Sequence, residues 1–157
     1  MNLTRRAIGC ALLAASGLSL ATTQAQAQTI KVGIVGPFSG PFAHYGALFK
    51  AGAEGYVATQ GGKLAGKDIE FIYRDTGGPN PGQTKTLVQE LIVKDKVDYL
   101  GGFVFTPNAM AVAPLIQQSK TPAVIFNAAT SAITDNSEYF IRTSYTLWQV
   151  TVPVAQW

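Results

Sequence analysis

Short apolar runs alternate with longer amphipathic segments along the 157-residue chain. Residues 30–35 are mostly β-branched and end at Gly36-Pro37, a pattern typical of a central parallel strand. Residues 68–74 alternate polar and apolar side chains with a period of two, which predicts a second, less buried strand. Three later runs predict the remaining strands, at residues 97–104, 123–126 and 139–142.

The segments between these runs carry helical periodicity at residues 42–59, 82–94 and 108–119. Gly61-Gly62 follows the first segment and predicts its end. The second places Leu87, Val88, Leu91 and Ile92 on one face. The third carries the apolar residues Met110, Val112, Ala113 and Ile116. Strands alternating with helices predict an α/β fold with a doubly wound parallel sheet, a Rossmann-like lobe with helices on both faces.

Three predicted connections differ from the others, at residues 36–45, 105–108 and 127–134. They are rich in Ser, Thr, Asn and aromatic residues, whereas the other connections carry mainly Gly, Lys and Asp. In open α/β sheets, ligands bind beyond the carboxyl ends of the strands near a topological switch point. These loops are therefore the candidate ligand site.

Thr106 and Thr130 sit where predicted strands lead into helices. One interpretation makes them N-caps. The other is that their hydroxyls and the free N–H groups of those helix starts hold a carboxylate, which the helix dipole favours. Tyr45 and Phe105 are the aromatic residues whose loop positions favour a wall of the ligand site.

The first 27 residues have the pattern of a secretory signal peptide, with cleavage predicted after Ala27. Arg5 and Arg6 precede an apolar run at residues 7–21, which is shorter than the roughly 20 residues of a membrane-spanning helix. The arginine pair also suits twin-arginine export, so the route stays open. The single cysteine, Cys10, lies in this leader, and we expect an unanchored, disulfide-free protein in a bacterial periplasm.

Composition and spacing exclude several kinds of chemistry. Without the leader, 10 basic residues face 9 acidic ones, so the net charge of +1 gives no support for nucleic acid or anionic membrane as partner. Gly61 to Lys67 resembles a phosphate-binding loop, but Asp68 replaces the required Ser or Thr and a strand follows. His44 is the only histidine, so an imidazole metal site lacks a second ligand. We expect no metal and no cofactor.

Several motifs in order resemble the leucine/isoleucine/valine-binding type of periplasmic binding protein. They are the run at residues 30–46, Tyr73-Arg-Asp75, Gly101-Gly102, Asn127-Ala-Ala-Thr130 and Ile141-Arg-Thr143. Residues 103–109 are similar to a subgroup associated with aromatic carboxylates. The resemblance implies a non-enzymatic receptor whose two α/β lobes close around a small carboxylate and deliver it to the membrane permease of an ABC transporter.

The resemblance also implies roles for individual residues. Tyr45 matches the aromatic wall, Thr106 the hydroxyl and amide donor to the ligand carboxylate, and Ala128 with Thr130 the second donor loop. Phe105 is inferred as their neighbour, and its bulk disfavours a branched aliphatic ligand.

The resemblance divides the chain into a signal peptide at residues 1–27, an incomplete first lobe at 28–143, and the start of a second lobe at 144–157. Most of the second lobe, with the acidic partner for an amino acid's ammonium group, would lie outside the chain. A branched-chain amino acid and an aromatic acid therefore both remain open as ligands. An extracytoplasmic sensor of the same fold and an exported hydrolase using His44 as base are the alternative functions.

An incomplete lobe should leave apolar surface uncovered, and we expect the chain to be marginally stable or to associate. Sedimentation velocity at several concentrations, together with thermal unfolding, measures this. A sharp, cooperative melt of a monomer would contradict the expectation.

Overall fold

The computed structural model describes residues 29–157, which form six strands and four α-helices. The strands are β1 (Ile30–Gly36), β2 (Lys63–Leu64), β3 (Lys67–Asp75), β4 (Tyr99–Gly102), β5 (Ala123–Ile125) and β6 (Phe140–Arg142). The helices are α1 (Ala43–Thr59), α2 (Pro81–Glu90), α3 (Thr106–Ser119) and α4 (Leu147–Gln156). Two 3₁₀ turns, Gly40–Phe42 and Ser131–Asn136, and a π-helical turn, Leu91–Asp95, complete the elements.

The strands form one sheet in the order β2-β3-β1-β4-β5-β6. All neighbours pair in parallel except β2, which is antiparallel to β3 at the edge. From β1 the chain goes first to β3 on one side and then to β4 on the other, so the strand order reverses between β1 and β4. The predicted doubly wound α/β sheet is confirmed, and this reversal is its switch point.

Helices cover both faces of the sheet, as β1 shows. Successive strand residues point to opposite faces, so Gly33 and Gly36 face opposite ways. The Cα of Gly33 lies against the side chain of Leu91, which follows α2, whereas Gly36 lies against Phe49 of α1. The α1 helix therefore packs on one face, and the end of α2 packs on the other.

The core lies between the sheet and the helices α2 and α3. Val88, Leu91, Val112 and Ile116 are fully buried there, as the helical periodicity predicts. Met110 of α3 lies outside this core and is 38% exposed. At 3.6 residues per turn, Met110 points about 200° away from Val112.

Backbone conformation explains two further differences from the predicted elements. The strand predicted at residues 97–104 is shortened to Tyr99–Gly102, since Phe103 adopts a positive φ of 65°. The glycines after α1 end that helix as predicted, but a hairpin then pairs β2 with β3. Its turn residues Ala65 and Gly66 have φ of 50° and 76°, the signs of a type I′ turn.

The last helix, α4, begins with a capping box. Thr146 accepts from the N–H of Gln149, whose side chain accepts from the N–H of Thr146. Leu147, Trp148 and Val154 on this helix are more than half exposed. Within residues 29–157, no helix is both long and apolar enough to cross a membrane.

The carboxylate of Asp75, at the end of β3, holds the β1–α1 loop. Its Oδ1 accepts hydrogen bonds from the N–H groups of Phe38 at 2.7 Å, Ser39 at 3.3 Å and Gly77 at 2.8 Å. Partial burial raises the pKa of Asp75, but the hydrogen bonds from the Ser39 side chain and these N–H groups outweigh it, so the pKa lies below its ordinary value. The ionised carboxylate thus fixes the start of this loop.

At Gly102 the end of β4 lies closest to β1. Gly102 has a φ of 113°, and a Cβ there would collide with the carbonyl oxygen of Val35. We expect Gly102→Ala to lower the free energy of unfolding by about 3 kcal/mol, since it combines strain with overpacking. Gly52→Ala on the exposed side of α1, where a Cβ meets nothing within 4 Å, should raise it by about 0.5 to 1 kcal/mol. Urea unfolding measures both, and equal stability of the two variants would contradict the packing.

We expect Asp75→Asn to destabilise the chain at neutral pH by about 1 to 2 kcal/mol, the scale of hydrogen bonds to a charged group. Because the folded-state pKa is lowered, the stabilisation is present above the unfolded-state pKa and is lost as the pH falls through the folded value. The difference in melting temperature between wild type and variant should therefore shrink in acid.

Asp98→Asn is the matched control for that substitution. Asp98 also binds a backbone N–H, that of Lys31 at 2.8 Å, but at the opposite end of β1. Only Asp75→Asn should shift the amide resonances of Phe38 and Ser39. Equal loop shifts in both variants would show that Asp75 does not hold the loop.

Candidate ligand-binding site

The three candidate loops leave the carboxyl ends of adjacent strands. They follow β1, β4 and β5, which lie side by side across the switch point. Two cross-strand hydrogen bonds join their starts: Phe103 donates to Val35 at 2.9 Å, and Phe126 donates to Gly102 at 2.7 Å. The sequence prediction that these loops share one edge of the sheet is therefore confirmed by the topology.

Thr106 and Thr130 meet across two of these loops. Their Oγ1 atoms are 2.9 Å apart, and both residues are half-buried. Thr106 is the first residue of α3, one position past the N-cap Phe105, whereas Thr130 occupies the N-cap of the Ser131–Asn136 turn without a side-chain capping bond. The capping interpretation is therefore wrong for these side chains, and the two hydroxyls form one polar pair that faces neither helix.

The loops that carry this pair also contain backbone N–H groups without a backbone acceptor among the described residues. The N–H of Thr106 is at the amino end of α3, where helix geometry provides no partner and the helix dipole is positive. Among residues 29–157, no backbone hydrogen bond uses the N–H of Ala129 or of Thr130. Ala128 differs, since it is 1% exposed and donates its N–H to Phe103 at 2.9 Å. The N–H of Ala128 is therefore engaged within the protein, whereas that of its neighbour Ala129, which sequence reasoning missed, has no backbone acceptor in the part of the chain that the structure describes.

Aromatic side chains lie in two of the three candidate loops. The rings of Phe42 and Phe105 meet edge to face, with centroids 4.9 Å apart. Phe105 is half-buried, and Phe42 is 36% exposed. Tyr45 is half-buried in the first turn of α1, and its ring packs on His44. Sequence reasoning named only Tyr45 and Phe105 as wall residues. The position of Phe42 within the candidate loop at residues 36–45 was the signal that could have added it.

The β3–α2 loop supports the site from one side. The buried side chain of Asn108 in α3 donates to the carbonyl of Gly78 at 3.0 Å. Gly78 in turn lies beside the ring of Phe42, and Asp75 anchors the same loop. The aromatic pair therefore rests on two loops that are tied to each other.

Arg142, at the end of β6, supports the site from the other side. Its Nη1 donates to the carbonyl of Ala128 at 2.8 Å, and its Nη2 donates to that of Thr130 at 2.6 Å. The resemblance motif contained Arg142, but sequence reasoning gave it no role at the site. The only sequence signal is a charged residue at the carboxyl end of a strand beside the candidate loops.

His44 stands apart from the hydroxyl pair. It is exposed on α1, and in the part of the chain that the structure describes no carboxylate is hydrogen-bonded to it. The hydrolase alternative therefore lacks the oriented base that it requires. The described residues likewise contain no group of three or more His, Cys, Asp or Glu side chains placed to hold a metal ion.

Comparison with known proteins gives a consistent set of relatives. The Leu/Ile/Val-binding protein homolog 6 of Brucella abortus (strain 2308) is 50% identical over 146 residues, which cover 93% of this chain and 37% of that protein. The chain thus spans little more than a third of this curated relative.

Two solved structures superpose on the chain. One is a solute-binding protein of an ABC transporter from R. palustris in complex with 4-hydroxybenzoate, with a TM-score of 0.79 and 56% identity. The other is a solute-binding protein from Rhodopseudomonas palustris BisB5 in complex with 3,4-dihydroxybenzoic acid, with a TM-score of 0.78 and 43% identity. Each superposition covers 82% of this chain and 35% of the solved structure's chain.

The family match itself extends over residues 29–157 and is to the periplasmic binding proteins. This match confirms the resemblance inferred from the ordered motifs, and the superposed structures confirm the fold of one lobe. With the fold, the loop edge and the relatives in agreement, the chain belongs to the periplasmic binding protein family, whose members are non-enzymatic, extracytoplasmic solute receptors of ABC transporters.

Proposed function

We propose that the chain forms one side of the ligand cleft of a substrate-binding protein that delivers an aromatic carboxylate of the hydroxybenzoate class to an ABC importer. The observation that carries this proposal is the Thr106–Thr130 hydroxyl pair, which adjoins Phe105 at the amino end of α3. Hydroxyl donors, backbone N–H groups and the helix dipole suit a carboxylate. The neighbouring rings of Phe42 and Phe105 suit an aromatic ring.

The same loops hold no partner for the ammonium group of an amino acid. An ammonium group needs a carboxylate partner when it is withdrawn from water. The three candidate loops contain no Asp or Glu, and Asp75, behind the first of them, already binds three N–H groups. These loops therefore match a carboxylate and a ring, and an amino acid would have to find the partner for its ammonium group on the second lobe.

The relatives support the same choice of ligand class. The proteins at 56% and 43% identity are complexes with hydroxybenzoates, whereas the relative at 50% identity is named for leucine, isoleucine and valine. Phe105 separates the two classes physically, because its bulk beside Thr106 leaves a flat apolar surface instead of a pocket for a branched side chain.

The wider setting of the chain is part of the proposal. Residues 28–143 would form the ligand-binding lobe, and residues 144–157, which contain α4, would begin a second lobe. The partner would be the membrane permease of the transporter. Export with cleavage after Ala27 stays a prediction, because that site lies outside the described residues.

We expect the full chain to bind 4-hydroxybenzoate through Thr106 and Thr130. In ¹⁵N-labelled protein, titration should shift the amide resonances of Thr106, Ala129 and Thr130 in a saturable way. Thr106→Val or Thr130→Val keeps the side-chain shape and removes one donor to a charged group. The loss of about 1.5 to 3 kcal/mol should weaken the Kd by roughly 10-fold to 150-fold.

Thr86→Val is the matched control, since Thr86 is exposed on α2 and its hydroxyl bonds only within that helix. It should leave the Kd unchanged. L-Leucine should cause smaller shifts than 4-hydroxybenzoate at equal concentration. Tighter binding of leucine would overturn the aromatic assignment, and the absence of shifts with either ligand would overturn the carboxylate site.

A further inference from the structure

The guanidinium of Arg142 donates two hydrogen bonds to the backbone of the loop after β5. It binds the carbonyls of Ala128 and Thr130, one on each side of Ala129, and more distantly that of Tyr145 at 3.4 Å. The carbonyl between them, that of Ala129, accepts from the N–H of Leu147 at 2.8 Å. Three successive carbonyls of this loop are therefore bound by donors from β6 and the start of α4.

This arrangement fixes the direction of the loop's N–H groups. All described peptide bonds are trans, and in a trans peptide unit the C=O of one residue and the N–H of the next point in opposite directions. Because Arg142 binds the carbonyls of Ala128 and Thr130, the N–H groups of Ala129 and Ser131 point away from the guanidinium. The bond from Leu147 to the carbonyl of Ala129 points the N–H of Thr130 away from the start of α4.

The charge of Arg142 has no carboxylate partner among residues 29–157. The ion pairs found there are Lys31–Glu70, Lys50–Glu54, Lys63–Asp68, Arg74–Asp95 and Lys94–Glu90. Arg142 is half-buried, so its positive charge is screened less than an exposed one. The charged group is hydrogen-bonded to the carbonyl of Thr130, whose hydroxyl belongs to the Thr106–Thr130 pair.

We propose that Arg142 is a positioning and specificity-determining residue of the ligand site. Its guanidinium turns the N–H groups of Ala129 and Ser131 away from itself and towards the ligand, and its unpaired charge selects an anionic carboxylate over a neutral group of the same shape. This inference rests on the proposed carboxylate site and adds a residue that does not itself contact the ligand.

The test compares 4-hydroxybenzoate with 4-hydroxybenzamide, which has the same ring and hydroxyl but no charge. Titrations of the full chain use wild type, Arg142→Gln and Arg142→Lys, at low salt and at high salt. Wild type should favour the acid by tenfold or more, and this preference should shrink as salt screens the charge. Arg142→Gln should reduce the preference at least fivefold and remove its salt dependence.

Arg142→Lys separates the two parts of the role. It keeps the charge but lacks the planar fork that binds two carbonyls at once. It should therefore weaken both ligands while retaining most of the preference for the acid. In the absence of ligand, both variants should shift the amide resonances of Ala129 and Ser131.

Arg74→Gln is the matched control, because Arg74 also binds a carbonyl, that of Tyr73, but is paired with Asp95 at 2.7 Å away from these loops. It should leave the preference unchanged. If Arg142→Gln keeps the wild-type preference for the acid, this inference is wrong and the proposed function stands. If Arg142→Gln does not fold, a preference in wild type that does not change with salt would overturn the inference instead. Failure of wild type to bind either compound would overturn the proposed function and this inference together.

Discussion

The close approach of β4 to β1 at Gly102 is the constraint on which the ligand edge depends. Only a residue without a Cβ fits there, because the carbonyl of Val35 occupies that space. The same contact lets Phe103 donate to Val35 and lets Gly102 accept from Phe126. Three adjacent strands therefore end at one level, and the chain leaves each of them towards the same edge. The reversal of strand order between β1 and β4 then separates the departing loops into a crevice.

Two ionised side chains bind the backbone of those loops, one as a hydrogen-bond acceptor and the other as a donor. Asp75 binds N–H groups of the β1–α1 loop, whereas Arg142 binds carbonyls of the loop after β5. Hydrogen bonds to charged groups are stronger than those between neutral groups. Each loop is thus fixed by a residue at the end of a different strand, and the rigidity of the site comes from the sheet.

The polar surface between these anchors is small and mainly donating. It consists of the hydroxyls of Thr106 and Thr130, the amino end of α3, and the N–H groups that Arg142 turns outward. Next to it, Phe42 and Phe105, whose rings meet edge to face, provide apolar aromatic surface. The proposed ligand, a carboxylate on an aromatic ring, matches both parts.

Sequence periodicity predicted five of the six strands and three of the four α-helices in their correct order, because burial of one helix face or one strand run is a local property of the chain. Its errors came from conformations that periodicity does not encode. The strand predicted at residues 97–104 ends early at the left-handed Phe103, and the hairpin of β2 depends on two residues with positive φ. Met110 is apolar and still exposed, since composition does not reveal which face of α3 meets the sheet.

The sequence by itself determined the fold class, the family resemblance and the three loops that carry ligand chemistry, since each depends on residue type and order along the chain. Only the tertiary structure decided which atoms of those loops act. It joined Thr106 to Thr130 and exposed Phe42 beside Phe105. It bound the N–H of Ala128 to the carbonyl of Phe103 and bound Arg142 to the carbonyls of the loop after β5. These outcomes depend on hydrogen bonds and contacts between residues distant in sequence, and their directions are fixed only when the strands are packed side by side.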